Sequence, residues 1–258
     1  MQNINQYRFS PAFEAYKEDI LRIIAEFGND AKGTILVNNR NTVKFFDLGP
    51  FSINIKSFRP PHFINKIVYR YFRKSKARRS FENAVYLLEK QIGTPEPVAY
   101  LEETDALGLT RSYFISLQVK DVTELKQVLH DEQYPDRTRM IQLYTRFFYR
   151  IHEAGIQFLD NTQGNTLFKK NGSGYDLYLV DLNRMHTGKD LDTAQRMHNF
   201  SRLSPKDEVN TIIAEEYARL SGGDATQLLE LLRKDSEIFW RKRAQQKKWK
   251  QKWKGAKK

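Results

Sequence analysis

Two short stretches decide the fold: LDNTQGNTL at residues 159–167 and LVDLNRM at residues 179–185. Asp160 and Asn165 stand five positions apart in the first stretch, where two threonines and a glycine are poor at continuing a helix. Asp181 follows a run of apolar and β-prone residues, YDLYLV. The pattern predicts a rigid loop that holds Asp160 and Asn165, and a strand that ends at Asp181.

The spacing of these three residues is typical of a protein-kinase fold. In that fold a loop Asp accepts the proton of the acceptor hydroxyl, an Asn five positions later binds one Mg²⁺, and a later Asp at a strand end binds the metal that bridges the phosphates. We therefore predict Asp160 as the catalytic base and Asn165 and Asp181 as metal ligands. Asp and Asn also favour turns, and this alternative remains open for Asp160 and Asn165 taken alone.

Kinase chemistry also requires a strand lysine on the nucleotide phosphates and a helix glutamate paired with it. Residues 51–58 (FSINIKSF) alternate like a strand, with Lys56 and Phe58 on one face and Ile53 and Ile55 on the other. Lys56 is the candidate phosphate ligand. The alternative is an ordinary solvated lysine on a strand.

The glutamate is expected on a helix at residues 80–90 (SFENAVYLLEK), whose apolar stripe we predict as Phe81, Val85, Leu88 and Ile92. Glu82 near the helix start is preferred over Glu89 as the partner of Lys56, because a GTPEP break closes the helix soon after Glu89. The alternative is a first-turn glutamate favoured by the helix dipole.

With these motifs in place, the chain resembles the bacterial lipopolysaccharide core kinases, in the form found in Bacteroidetes-type bacteria. The resemblance rests on INIKSF, RSFENAVYLLEKQIGTPEPVAYLE, IHEAGIQFLDNTQGNTL and LVDLNRM, which contain the five residues above. It implies a protein-kinase-like fold and phosphate transfer from ATP, with Mg²⁺, to a Kdo or heptose hydroxyl of a lipid A-core glycolipid. It also implies roles for Asp160 as base, Asn165 and Asp181 as Mg²⁺ ligands, Lys56 as phosphate contact and Glu82 as its ion-pair partner.

The sequence departs from the wider kinase pattern at three places. Phe158 replaces the histidine that usually braces the catalytic loop, so we expect packing to brace it, and Asn183 stands where protein kinases have glycine. No glycine-rich loop precedes the strand lysine; residues 34–46 read as a hairpin with its turn near residues 38–41. Asn39 and Arg40 at that turn are either phosphate donors or simply a polar tip.

We predict an α+β, two-lobed fold: a small N-lobe at residues 1–116 with an antiparallel sheet and one helix, a mainly helical C-lobe at residues 117–240, and a basic tail at residues 241–258. The adenine is expected against the linking segment at Leu117 and Val119, with a helix starting near Asp121.

The clearest amphipathic helix of the chain leads into the Asp160 stretch and ends with His152, to which we assign a structural role. Its apolar positions keep a three-four spacing: Met140, Ile141, Tyr144, Phe147, Phe148 and Ile151. The chain has no cysteine, and its five histidines show no metal spacing, so the sequence argues against a zinc site or a thiol nucleophile. Mg²⁺ is the metal that the motifs imply.

The formal net charge of +12 is concentrated in the tail, which holds ten Lys or Arg and no acid, so removing it lowers the charge from +12 to +2. Trp249 and Trp253 lie among these lysines, a combination that favours peripheral binding to an anionic membrane surface. A disordered tail and a nucleic-acid-binding tail are the alternatives, and we expect nucleic acid to be the weaker one.

A second basic segment at residues 59–79 interleaves cations with aromatic and aliphatic residues. It is predicted to be an amphipathic helix that lies on the bilayer and holds lipid A phosphates or Kdo carboxylates. The alternative is a solvated helix docked on the N-lobe. The N-terminus lacks a signal-peptide pattern and no run is long and apolar enough to span a membrane, so we expect a cytoplasmic protein, peripheral on the inner face of the inner membrane.

Two other functions remain open on sequence grounds: a kinase for a protein or small metabolite, and a non-catalytic binding protein on a kinase-like scaffold. Five polar residues in the kinase order argue against the second, because a scaffold has no need of two such carboxylates. The acceptor sugar, the nucleotide preference and the oligomeric state do not follow from the sequence.

Overall fold

The computed structural model describes residues 4–29, 31–59 and 73–255. The chain divides into two compact units. Unit 1 comprises Met1–Asp121 and Leu179–Arg184, and unit 2 comprises Val122–Tyr178 and Met185–Lys258. The segment Leu179–Arg184, named here the Asp181 segment, therefore belongs to the unit that also contains Lys56, although it is distant in sequence.

Unit 1 is built on a six-stranded antiparallel sheet whose strands lie in the order β1-β5-β6-β4-β3-β2. The lysine strand β4 is internal, between β3 and β6, so its register is set on both sides. The strands are β1 Ile4–Phe9, β2 Thr34–Asn38, β3 Thr42–Asp47, β4 Ser52–Phe58, β5 Pro97–Asp105 and β6 Gly108–Leu117.

The two faces of this sheet are covered by different helices. A 3-10 turn (Pro11–Tyr16) and helix α1 (Lys17–Ala25) pack on the face that contains Ile53 and Ile55. Helix α2 (Lys76–Glu89) packs on the other face, which contains Phe58. The alternation predicted for β4 is confirmed, and it places Lys56 on the α2 face. The prediction of a single N-lobe helix was wrong, because α1 is present as well.

Helix α2 begins four residues earlier than predicted because Ser75 caps it, accepting a hydrogen bond from the Arg78 amide. Of the predicted stripe, Phe81 and Ile92 are buried and Val85 is partly buried, whereas Leu88 is 41% exposed. The buried positions are Ala77, Ser80, Phe81, Ala84 and Leu87. Sequence periodicity located the helix, but small side chains on the sheet side decided its rotation.

Unit 2 is mainly helical, with a three-stranded sheet and a two-stranded ribbon. Its strands are β7 Val122–Glu124, β8 Gln157–Phe158, β9 Thr166–Asn171, β10 Gly174–Leu179 and β11 Met185–His186. Its helices are α3 Leu125–His130, α4 Arg137–Glu153, α5 Thr193–Phe200, α6 Asp207–Ser221 and α7 Ala225–Gly255. The predicted amphipathic stripe of α4 is buried throughout, His152 included. The helix expected near Asp121 starts at Leu125, because β7 comes first.

Helix α7 continues without a break from Ala225 to Gly255, so the basic tail described to that point is helical. Trp249 and Trp253, one turn apart, are 65% and 59% exposed, and their ring centroids lie 5.5 Å apart. Within the described ranges, no helix is both long and apolar enough to cross a membrane. Residues 60–72 of the predicted amphipathic insert lie outside the described residues.

Candidate active site

In unit 1, β4 and the Asp181 segment bring two of the predicted residues together. Lys56 Nζ lies 2.7 Å from Asp181 Oδ1, and the two side chains are 18% and 31% exposed. The Lys56 ammonium also lies 5.4 Å from the centroid of the Phe58 ring. The lysine is thus held between an anion and an aromatic face at the edge of solvent, where an incoming phosphate can reach it.

The backbone of Asp181 adopts a left-handed conformation, with φ of 61°. This region is uncommon for a residue other than glycine, although Asp and Asn enter it more readily than most. Asn183, at the position where protein kinases have glycine, donates from Nδ2 to Asp181 Oδ1 over 2.6 Å. Asn183, in place of glycine, therefore supplies a hydrogen bond that orients Asp181, the predicted metal ligand.

The Asp181 segment is tied to unit 1 by three further hydrogen bonds. Asn83 of α2 donates to the Leu182 carbonyl over 2.6 Å. The Thr94 hydroxyl donates to the Leu179 carbonyl over 2.8 Å, and the Leu179 amide donates to the Gly93 carbonyl over 2.9 Å. These bonds fix the segment at both ends of the Asp181 turn.

The predicted pairing of Glu82 with Lys56 is not the one that the structure contains. Among the described residues, Glu82 forms ion pairs with Lys74 (2.8 Å) and Arg78 (2.9 Å), while Lys56 pairs with Asp181. Burial opposes the charged form of Glu82, yet the two cations together hold its pKa below the ordinary value. The neighbouring Asn83, through its bond to the Asp181 segment, is the α2 residue that connects the helix to this site.

The tip of the β2–β3 hairpin, where Asn39 and Arg40 were predicted as possible phosphate donors, lines a cavity of about 420 Å³ in unit 1. Exposed Arg59 and Arg111 line it as well. Buried Lys44 at the same cavity donates to the carbonyls of Phe27 and Asn29, each over 2.9 Å. The cavity lining is therefore cationic, with Arg40, Lys44, Arg59 and Arg111, and the proposed role of Asn39 and Arg40 stays a prediction.

The linking segment, which is predicted to contact adenine, has part of its backbone hydrogen-bonded to other residues of unit 1. The Leu117 amide donates to the Glu96 carbonyl and the Gln118 amide to the Ser52 carbonyl, each over 2.9 Å. The Val119 carbonyl accepts from the Gln118 side chain over 3.0 Å. An adenine contact at Leu117 or Val119 stays a prediction.

In unit 2, residues 158–165 form the Asp160 loop, in which the two other predicted residues are bonded to each other. Asn165 Nδ2 donates to the Asp160 carbonyl over 2.8 Å, and the Asn165 amide donates to the Thr162 carbonyl over 3.0 Å. The five-residue spacing closes a tight loop that fixes the Asn165 side chain against the Asp160 backbone. Asn165 Oδ1 is left as an oxygen donor for a ligand.

Arg202, which the sequence analysis did not single out, also holds the Asp160 loop. Its guanidinium donates to the Leu159 carbonyl over 3.1 Å and lies 3.7 Å from Asp160 Oδ1. The same guanidinium stacks over the Phe239 ring at 5.6 Å from its centroid. Arg202 thus places a positive charge beside the predicted base and hydrogen-bonds the backbone next to it.

The loop is braced by a buried hydrogen-bond network, rather than by packing alone as Phe158 suggested. Asn199 donates to the Phe158 carbonyl over 2.6 Å and contacts His152 Nε2 over 3.0 Å. Asn161 donates to the Asn199 carbonyl over 2.9 Å and accepts from the Tyr144 hydroxyl over 2.7 Å. Asn199 thus braces the loop from α5 through the Phe158 carbonyl.

His152 anchors this network from α4. Its ring is 1% exposed, contacts the Tyr217 hydroxyl over 3.0 Å, and packs edge-on against Phe148 and Phe200. Burial lowers the pKa of His152 to about 4, although the bond to Asn199 opposes the shift. The histidine is therefore neutral at physiological pH, which supports the structural role predicted for it.

The oxygen donors of the predicted ligands suit a hard divalent cation. Asp181 makes both its contacts to described residues through Oδ1, which leaves Oδ2, and Asn165 offers its amide oxygen. In the part of the chain that the structure describes, no group of three or more His, Cys, Asp or Glu side chains is placed to hold a metal. Mg²⁺ commonly takes one or two protein oxygens together with phosphate oxygens and water.

Several residues of these two regions escaped the sequence analysis: Asn83, Asn161, Asn199 and Arg202. All four form hydrogen bonds with residues that are distant in sequence, so no local sequence spacing predicts them. Asn183 alone had a signal, because it stands at a motif position normally held by glycine.

Comparison with solved structures gives the fold. The chain superposes on WaaP in complex with acyl carrier protein with a TM-score of 0.62 at 16% identity, over 90% of this chain and 98% of that one. A MAP kinase from Leishmania major gives a TM-score of 0.45 at 17% identity, over 83% of this chain and 66% of that one. The Rio2 kinase–ADP/Mg²⁺–phosphoaspartate complex from Chaetomium thermophilum gives a TM-score of 0.45 at 14% identity, over 84% of this chain and 74% of that one. The likeness to WaaP confirms the predicted α+β, protein-kinase-like fold.

Comparison with known sequences gives the family. A search of curated protein sequences finds no match. The family model for the lipopolysaccharide kinase (Kdo/WaaP) family matches residues 60–230, which is more than half of the chain and includes Asp160, Asn165 and Asp181. The resemblance inferred from the motifs is confirmed: the chain belongs to the lipopolysaccharide kinase (Kdo/WaaP) family and is a kinase.

Proposed function

We propose that this kinase transfers the γ-phosphate of ATP, with Mg²⁺, to a hydroxyl of a Kdo or heptose sugar in the lipopolysaccharide inner core. The observation that supports the proposal most is the Lys56–Asp181 contact in unit 1, because it joins the predicted phosphate ligand to the predicted metal ligand. The family supplies the class of acceptor.

Each residue has one role in the proposed reaction. Asp160 accepts the proton of the sugar hydroxyl as its oxygen bonds to the γ-phosphorus, and the bond from that phosphorus to the β-phosphate oxygen breaks, so that ADP leaves with the electron pair. Lys56 binds phosphate oxygens. Asp181 and Asn165 are the predicted Mg²⁺ ligands, and a bound Mg²⁺ would neutralise phosphate charge. Positioning and charge stabilisation supply most of the rate.

The test is transfer of radiolabelled phosphate from ATP to purified lipid A precursors that end in Kdo or in heptose. We expect the wild type to label one of them, and Asp160→Asn to lower kcat by roughly 10²- to 10⁴-fold, the range for losing a general base. Asp181→Asn should also remove metal-dependent turnover. Asp176→Asn, at an exposed position of β10, is the matched control and should behave as wild type.

The assignment of the site residues and the assignment of the acceptor can be disproved separately. Normal turnover in Asp181→Asn would overturn the site assignment. ATP hydrolysis that is lost in both site variants, with no label on either lipid, would keep the kinase chemistry and replace the acceptor by a protein or a small metabolite.

We also propose that the basic end of α7 binds the anionic surface on which such a lipid acceptor resides. Residues 241–250 are exposed, and the two tryptophans present paired rings among their cations. Each Lys or Arg near anionic headgroups contributes about 1 kcal/mol, and tryptophan prefers the interface. A cytoplasmic, peripheral location follows from this proposal, and the insert at residues 59–79 is a second candidate contact.

Vesicle sedimentation tests the surface contact. We expect the protein to bind vesicles that contain phosphatidylglycerol, to bind phosphatidylcholine vesicles weakly, and to lose binding as salt is raised. The double substitution Trp249→Ala/Trp253→Ala should weaken binding, whereas Gln245→Ala/Gln246→Ala on the same exposed stretch should not. Equal binding by the two double variants would contradict the role of the tryptophans.

A further inference from the structure

The first residue of α2, Lys76, lies beside the Lys56–Asp181 pair although no motif points to it. Its ammonium is 6.0 Å from the centroid of the Phe58 ring, and the Lys56 ammonium is 5.4 Å from the same centroid. Phe58 is itself buried, with 3% of its surface exposed. A lysine from β4 and a lysine from α2 therefore border one rigid aromatic ring.

The surroundings of Lys76 are unusually positive. Burial lowers its pKa, and Arg40, Arg184 and Arg79 lower it further, while Asp181 acts in the opposite direction. Among the described residues, no carboxylate lies within ion-pair distance of the Lys76 ammonium, and Asp181 is already paired with Lys56. The preceding residues 60–72 contain no Asp or Glu in their sequence. A half-buried cation in such a field is unfavourable unless an anion joins it.

Helix α2 thus brings a positive charge, Lys76, near Lys56, where the sequence predicted the negative charge of Glu82. A kinase helix that donated Glu82 to Lys56 would neutralise the lysine, but Glu82 is paired with Lys74 and Arg78. The helix instead brings the Lys76 ammonium to the same side of the sheet as Lys56. Lys56 and Lys76 together consequently carry more positive charge than Asp181 balances.

We propose that Lys76 is a second phosphate-binding residue, which with Lys56 holds the polyphosphate of the nucleotide at the Asp181 segment. The inference rests on the proposed function, because it takes ATP as the ligand. A nucleotide polyphosphate is the class of ligand that fits, since it carries several negative charges and approaches a metal-binding carboxylate. Arg40 at the hairpin tip, which acts on Lys76 electrostatically, adds to the same field.

Binding measurements on Lys76→Met test the proposal apart from turnover. Methionine keeps an unbranched side chain on Phe58 and removes the charge. We expect the affinity for ATP to fall by about 10-fold or more, as for the loss of a hydrogen bond to a charged group, while the affinity for adenosine stays unchanged. Lys76→Arg should restore most of the ATP affinity, because it restores the charge.

Lys74→Met is the matched control, two residues earlier and 53% exposed beside Glu82; it should leave the ratio of ATP to adenosine affinity unchanged. An equal loss of ATP and adenosine affinity in Lys76→Met, or a wild-type ratio, overturns the role of Lys76 alone. If the wild-type protein binds adenosine and ATP equally, or binds neither, both the proposed function and the role of Lys76 are overturned. Thermal melting of each variant excludes unfolding as the cause of a loss.

Discussion

The Asp181 segment in unit 1 and the Asp160 loop in unit 2 hold their acidic residues by different means. Asp181 is held through its own carboxylate, which accepts from Lys56 and Asn183 at the edge of solvent. Asp160 is held mostly through the backbone around it, to which buried Asn199 and partly buried Arg202 donate. One region uses a charged side-chain contact, and the other uses a network anchored in the core.

The difference has an energetic consequence. A partly exposed ion pair contributes little to folding and exchanges readily when a metal or phosphate arrives. A buried neutral network contributes to folding with every bond, because any partner left unsatisfied is desolvated without compensation. Substitutions in the Asp160 loop network should therefore change stability, whereas those around Asp181 should change ligand affinity.

The largest expected effect on stability comes from Asn199→Ala. It removes the partners of the Phe158 carbonyl and of His152 Nε2, both buried, so the free energy of unfolding should fall by roughly 2–4 kcal/mol. Urea denaturation measures it, with Asn171→Ala, an exposed asparagine, as the control. A loss below about 1 kcal/mol for Asn199→Ala would show that packing braces the loop.

The pH dependence of stability tests the same network. The pKa of His152 is about 4 in the folded state and about 6.5 in the unfolded chain, so the unfolded state takes up the proton first. Stability should therefore be lost as the pH falls from about 6.5 to 4, by up to about 3 kcal/mol. His152→Gln should flatten this slope and exposed His186→Gln should keep it; an unchanged slope in His152→Gln would contradict the assignment.

Around Asp181 the expected effect lies in ligand affinity. Asn183→Ala removes the hydrogen bond to Asp181 Oδ1 and should weaken Mg²⁺ affinity by about 10- to 100-fold, as for other residues that orient a metal ligand. The change in unfolding free energy should stay near 1 kcal/mol or less. Titration of nucleotide binding with Mg²⁺ measures the first quantity. A variant that loses stability but keeps its Mg²⁺ titration would reverse the contrast between the two regions.

The smallest effect is expected for Glu82→Gln. Its ion pairs with Lys74 and Arg78 are partly exposed, so each contributes at most about 1 kcal/mol, and kcat should change by less than about threefold. Steady-state kinetics provides the measurement. A drop of a hundredfold would mean that Glu82 meets Lys56 during turnover, as the sequence pattern predicted.

Local pattern was sufficient for much of the fold. The alternation of β4, the stripe of α4 and the five-residue spacing of the Asp160 loop depend on neighbours within a few positions. The stripe predicted for α2 was right for Phe81 and Ile92 and wrong for Leu88, because the buried face includes Ala77 and Ala84 instead of Leu88. Hydropathy alone does not distinguish these two arrangements.

The sequence by itself determined the kind of fold and the family, and it predicted a site at Lys56, Asp160, Asn165 and Asp181, since motif order and short spacing lie within the sequence. The tertiary structure decided the partners: Asp181 rather than Glu82 for Lys56, and Asn199 for the Phe158 carbonyl. The physical reason is that a charge or hydrogen-bonding group pairs with whatever folding brings within about 3 Å, and that neighbour is set by packing of distant segments.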